Sequence, residues 1–210
     1  MNQIHDLLGS IIIGGIVLLM LVAFNGNIME SAGTQTFRAI VQKNLTSVTE
    51  ILEFDMRKMG FRVQAGGSDT TICYADSNRI RFRGDLDTTN GAGTVDMVEY
   101  YVDNAGAGAT SNPNDKVLHR KFNNAAPVNM YLGLINFKIY YYGANGAPIT
   151  ATPVTAATLS TIKSVKLVVG IESKDRIFDN RRGQRIGNPF NDTTYAGAYW
   201  ERTFKPQNTR

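Results

Sequence analysis

LLGSIIIGGIVLLMLVAF, from Leu7 to Phe24, is eighteen residues without one formal charge. As a helix it would span roughly 27 Å at the standard rise, close to the ~30 Å of a bilayer's hydrocarbon core. The residues behind it change character without a clear loop. From Ile28 to Met59 the apolar positions Phe37, Val41, Leu45, Val48, Leu52, Met56 and Met59 are three or four apart, which is one helical face. Gly60 follows as a helix stop, with Lys58 near the negative end of the helix dipole. The expected unit is therefore one helix across residues 1–60, apolar in front and amphipathic behind. If continuous from Leu7 to Met59 it would run ~80 Å. Residues 61–210 are left for a single head domain.

Three readings of the front half stand side by side. A cleaved secretory signal fits poorly, because only His5 and Asp6 precede the apolar run and no A-x-A-like site follows it. A plain membrane anchor is the second. The third is a helix that leaves the membrane and packs against copies of itself, and Gly9, Gly14 and Gly15 favour such close helix contact.

The totals narrow the field. The formal net charge is +4, and Lys and Arg are scattered rather than striped. The densest basic spot, Arg181, Arg182 and Arg185, sits among glycines in a polar stretch, so no nucleic-acid partner is expected. A single cysteine, Cys73, rules out an intramolecular disulfide and any multi-cysteine metal site. It lies in the apolar run TTICYA and reads as a buried, inert thiol.

Beyond Val63 the helical period stops. Short runs of β-branched and aromatic residues alternate with Gly, Asn, Asp and Pro, the pattern of strands and turns. Strands are expected near Thr71–Tyr74, Arg79–Arg83, Val95–Val102, Lys116–Phe122, Leu134–Tyr142, Lys163–Ser173 and Ala198–Phe204. Ile135, Phe137, Ile139 and Tyr141 share one strand face, and Val165, Leu167, Val169 and Ile171 share another. Asn90-Gly91 and Asn145-Gly146 carry turn chemistry. The segments Ala144 to Thr161 and Ser173 to Gly197 read as long connections. The fold class is α+β: a long N-terminal helix and one antiparallel, β-rich head.

In that order the pieces resemble the type IV pilin and pseudopilin superfamily, and within it the PilW-type minor pilins and the J-type minor pseudopilins of type II secretion. The resemblance is carried by ILEFDMRKMGFRV (Ile51–Val63) and by IRFRGDLDTTNGAGTVDMVEYYV (Ile80–Val102). It continues through VLHRKF (Val117–Phe122), LINFKIYYYGANG (Leu134–Gly146), IKSVKLVVGIES (Ile162–Ser173) and the closing WERTFKPQNTR. The likeness implies a subunit that starts in the inner membrane and is then built into an extracellular or periplasmic filament. Its partners would be copies of itself and other pilins or pseudopilins. Members of the superfamily carry a basic leader, a cleavage point and a glutamate just beyond it. Here Met1 is followed by Asn2, Gln3 and Ile4, and Asp6 lies near the place of the glutamate. By resemblance Asp6 would pair with the terminal amine of a neighbour, and a carboxylate among apolar helices does need a cation. The residues expected to make the assembly are Asp6, Leu7, Gly9, Ile12, Gly14, Gly15, Ile16, Leu19, Val22 and Phe24, continued by Phe37, Val41, Leu45, Val48 and Leu52.

Enzyme chemistry is nearly absent from the sequence. The two histidines, His5 and His119, are far apart, and no nucleophile elbow, HExxH, P-loop or GxGxxG motif occurs. No catalytic residue and no cofactor is expected. The turn GDLDTTNGAGTVD invites comparison with a calcium loop through Asp85, Asp87 and Asn90, but the spacing is off by one and no closing glutamate follows. A hairpin turn with solvated acids is the expected reading, and calcium the alternative. Asn44 and Asn191 begin N-glycosylation triplets; Asn191, in a loop, is the better acceptor of the two.

Overall fold

The computed structural model describes residues 2–63, 70–86, 95–103, 110–177 and 195–207. Helix α1 runs from Asn2 to Arg57, 56 residues, or about 84 Å at the standard rise. Strands β1 (Ile72–Ala75), β2 (Arg79–Gly84), β3 (Asp96–Asp103), β4 (Lys116–Phe122) and β5 (Val128–Tyr142) follow. After them come β6 (Pro148–Ile149), a single helical turn α2 (Ala156–Leu159), β7 (Ser164–Arg176) and β8 (Tyr195–Phe204). Among the described residues every strand pairing is antiparallel, in the order β1-β2-β3-β4-β5-β7-β8, with β6 on the flank of β5.

The back half of α1 is a helix because its apolar stripe has a sheet to lie on. Val41, Leu45, Val48, Leu52, Met56 and Met59 are all buried. They meet Phe137, Ile139 and Tyr141 of β5 and Val165, Leu167, Val169 and Ile171 of β7 in one core. Each such side chain removed from water contributes roughly 1.5–3 kcal/mol. The helix lies mainly over β8 and β7, and over β5 to a lesser extent.

The helix end is closed by the far end of the chain. Gly60 has φ +80, the left-handed stop that its place after Met59 calls for. The Gln207 N–H donates to the Met59 carbonyl at 2.8 Å, and its side-chain amide to the Arg57 carbonyl at 3.3 Å. A Cβ at position 60 would lie 1.9 Å from the Gln207 oxygen, so only glycine leaves room for this contact.

Four of the seven expected strands fall within two residues of their places. Strands β5 and β8 begin earlier than expected, β5 by six residues at Val128, and β7 runs three residues further. Gly133, with φ +75, and a register shift between Leu134 and Asn136 break the alternation there. That shift brings Leu134 into the main core, while Ile135 is buried outside that cluster, which corrects its expected place beside Phe137. The stretch read as a connection from Ala144 to Thr161 holds β6 and α2. Its partner connection, from Ser173 to Gly197, lies mostly outside the described residues.

Candidate assembly surface

The front of α1 leaves its own protein. Between Ile4 and Met29 sixteen large apolar side chains are exposed, from 49% at Ile16 to 71% at Met29. Leu7, Ile12, Ile16, Leu19, Val22 and Phe24 are all among them. A Cβ added at Gly9, Gly14 or Gly15 would meet nothing within 4 Å, so nothing in the chain itself asks for glycine at these places. Asp6 is exposed, and its carbonyl accepts the Ser10 hydroxyl at 2.8 Å. Covering sixteen such side chains is worth tens of kcal/mol per chain. Water is not their medium.

The remaining expected assembly residues part company with these. Val41, Leu45, Val48 and Leu52 are buried in the chain's own core, and Phe37 packs against its rim. Their surface is used inside the molecule and is not open to a neighbour, which corrects the expectation that they continue the assembly face. The flank that stays open in this half carries Ile40, Ile51 and Phe54, with Lys58 Nζ 4.3 Å above the Phe54 ring.

What joins rod to head is a buried charge cluster. Asp55 is 1% exposed, on the helix face turned toward the sheet. Its Oδ2 accepts the Tyr100 hydroxyl at 2.5 Å and Arg120 Nε at 2.7 Å, while Oδ1 accepts Arg120 Nη2 at 3.2 Å. Arg120 Nε also reaches the Tyr100 oxygen at 3.1 Å. Burial, with the Asp55 charge beside it, pushes the Tyr100 hydroxyl well above its ordinary range. Hydrogen bonding to Asp55 raises the Arg120 guanidinium in turn, so Arg120 keeps its charge. A charge pair so deep costs much to break, since each partner removed leaves the other buried and alone. Nearer the surface, Glu53 binds Arg57 at 2.9 Å and Arg202 of β8 at 2.5 Å. Asp55 was missed in the sequence, although an acid three residues after Leu52, on the apolar face, is a visible irregularity. Its partners lie 45 and 65 residues away, and nothing local points to them.

The other singled-out residues find structural partners. His119 stacks on Tyr101 at 4.6 Å, accepts or donates at Nδ1 to Asn129 at 2.7 Å, and places Nε2 3.0 Å from Asp103. On the same outer face Glu99 is clamped by Arg79 and Arg81 at 2.7 and 2.9 Å. Cys73 is half-buried rather than buried, with its thiol directed at the Thr70 carbonyl. The Asn44 amide donates to the Leu132 carbonyl at 3.2 Å and so belongs to the helix–head contact. Asp85 is buried and ion-paired to Arg62 at 2.8 Å, which engages one oxygen of the acid in the calcium alternative. Asp87, Asn90 and Asn191 lie outside the described residues. No group of three or more His, Cys, Asp or Glu side chains arranged for a metal occurs among the described residues.

The chain is an α+β protein, a long N-terminal helix carrying an antiparallel β head. No family model and no curated protein matches it. Among solved structures it is similar to a type IV-like pilin from Thermus thermophilus, at 11% identity and a TM-score of 0.49, over 80% of this chain and 98% of that one.

Proposed function

We propose that the protein is a non-catalytic structural subunit that assembles through α1 into a type IV pilin-like filament. The observation that carries this is the rod: sixteen exposed apolar side chains on a helix whose other half is fixed to a folded head. Before assembly residues 7–24 cross the inner membrane, where lipid covers them. In the filament, helices of sibling chains replace the lipid, and the glycines allow close approach. The heads then cover the shaft on the outside, in the cell envelope or beyond it. Asp6 brings the one formal charge into the bundle's edge and pairs there with a cation of a neighbour. The sequence resemblance to pilins and pseudopilins supports the same reading.

Electron microscopy of the purified full chain after detergent removal tests it. Long fibres of this chain alone support the homopolymer. Short complexes that form only with other pilins support the second reading, a minor tip or initiator subunit, which the likeness to PilW-type and J-type members favours. A chain that stays monomeric in detergent and in lipid overturns both, and leaves a membrane-anchored binding protein. Within the homopolymer reading, Asp6→Ala lowers filament yield in cells while the monomer still inserts; an unchanged yield removes Asp6 from the mechanism.

A further inference from the structure

The open flank of the back half of α1 and three glycines further forward share one line. Gly15, Gly26, Gly33, Ile40 and Ile51 are separated by eleven, seven, seven and eleven residues. At 3.6 residues per turn these steps are close to whole turns, so all five stand within about 20° of one line along the helix. Ile40 is 47% exposed and Ile51 40%, and a Cβ built at any of the three glycines would meet nothing within 4 Å. The line is thus open surface, a groove in front and a ridge behind. Phe54, 55% exposed, broadens the ridge, and Lys58 sits over its ring.

Each half lacks what the other offers. Glycine inside a helix is destabilising relative to alanine, and no contact within the chain requires it at these three places. Behind, Ile40, Ile51 and Phe54 are the large apolar side chains left exposed between Ser31 and Arg57, where the other exposed residues are polar or small. Lipid does not reach them. With residues 7–24 in the hydrocarbon, Ile40 and Ile51 stand about 24 and 40 Å beyond Phe24, past the headgroups. The two isoleucines are eleven residues apart, as are Gly15 and Gly26. One shift of twenty-five residues, about 38 Å, therefore sets Gly15 level with Ile40 and Gly26 level with Ile51. We propose that the front rod of a second copy of this chain occupies the Ile40–Ile51–Phe54 flank, with Ile40 and Ile51 of one copy seated over Gly15 and Gly26 of the next. The proposal rests on the filament reading and adds to it the face and the register. The occupant matches its seat: the rod carries no formal charge from Leu7 to Phe24, and the glycines let a ridge of isoleucine come close. Because the contact joins the front of one chain to the back of another, it uses two different patches and extends without closing.

The test assembles the full chain from detergent, reads fibre yield by electron microscopy and follows the monomer's Tm alongside. Gly26→Ile fills the groove and lowers fibre yield about tenfold, while the monomer's Tm does not fall. Gly26→Ile combined with Ile51→Ala moves the bulk from ridge to groove and regains most of that yield. In fibres built on Cys73→Ser, the pair Gly26→Cys and Ile51→Cys oxidises to covalent multimers. The pair Gly15→Cys and Ile51→Cys, eleven residues out of register, does not. Positions 26 and 51 of one chain are about 38 Å apart on the helix, so the disulfide must join two copies. The register is overturned, with the filament reading left standing, if fibres form and Gly26→Ile has no effect or the double variant recovers nothing. Fibres in which the 26/51 pair stays unlinked, or in which both cysteine pairs link alike, overturn it equally. An unaltered chain that forms no fibre takes down the filament reading and the register together.

Discussion

The two halves of α1 share one backbone and meet opposite fates. In the back half, Val41 to Met56 find a sheet of the same chain to cover them. In the front half, Ile4 to Met29 find nothing, though these residues are the more apolar. The difference is supply: the head offers one apolar face, long enough for about four to five turns of helix, and the amphipathic half occupies it. A helix face is therefore not an interface by virtue of being apolar. It becomes one only where the chain has not already answered it.

The sharpest way to break that contrast is at Asp55. Asp55→Ala leaves Arg120 buried without its carboxylate and costs about 3–5 kcal/mol, read as a large drop in Tm in detergent. Replacing Asp55 and Arg120 together by apolar residues recovers most of that loss, because the penalty belongs to the orphaned partner. If the single variant melts like the unaltered chain, the cluster does not hold rod to head.

Paired truncations in the two halves come next. Leu52→Ala removes a fully buried side chain and costs about 2–5 kcal/mol in the detergent-solubilised monomer. Leu19→Ala, 70% exposed, leaves the monomer's stability within about 0.5 kcal/mol of unaltered. For fibre yield the rod variant matters even though its monomer is sound. Equal Tm losses at the two sites would erase the distinction between the halves.

Much of this was legible beforehand, for stated reasons. The helix period in Phe37 to Met59, the stop at Gly60 and the alternation of Val165 to Ile171 are local signals, and each found its place. The first part of β5 was not read, because Val128–Asn129–Met130–Tyr131 mixes exposed apolar and polar residues and Gly133 interrupts the period. Asp55, Asn112 and Glu172 were silent for another reason. Each is a polar residue whose meaning lies in a partner 45 to 65 residues away. Periodicity shows which face is buried; it does not show which charge meets which.

Two smaller effects sharpen the account at the head. Gly60→Ala must adopt φ +80 and push the Gln207 carbonyl away, at a cost of about 1–3 kcal/mol; unchanged melting would mean that the C-terminal tail does not cap the helix. Asp115 gives a pH effect of definite sign. Its carboxyl is raised on folding by burial, so the folded chain holds that proton more tightly than the unfolded chain. The stabilisation it contributes is full below the ordinary carboxylate range and is lost as pH rises through the raised value. Asp115→Asn flattens this part of the Tm–pH profile, and an unaltered profile would contradict the raised pKa.

The central claim is that sibling rods become each other's surroundings, and one measurement addresses it directly. A chain with Cys73→Ser and a single cysteine in place of Leu19 is spin-labelled, and label-to-label distances and lipid accessibility are followed through assembly. The account expects labels from different chains to come within about the 8–10 Å spacing of packed helices plus the label arms, with accessibility to lipid falling sharply. Labels that remain isolated and lipid-exposed, in material whose heads are folded, would contradict it.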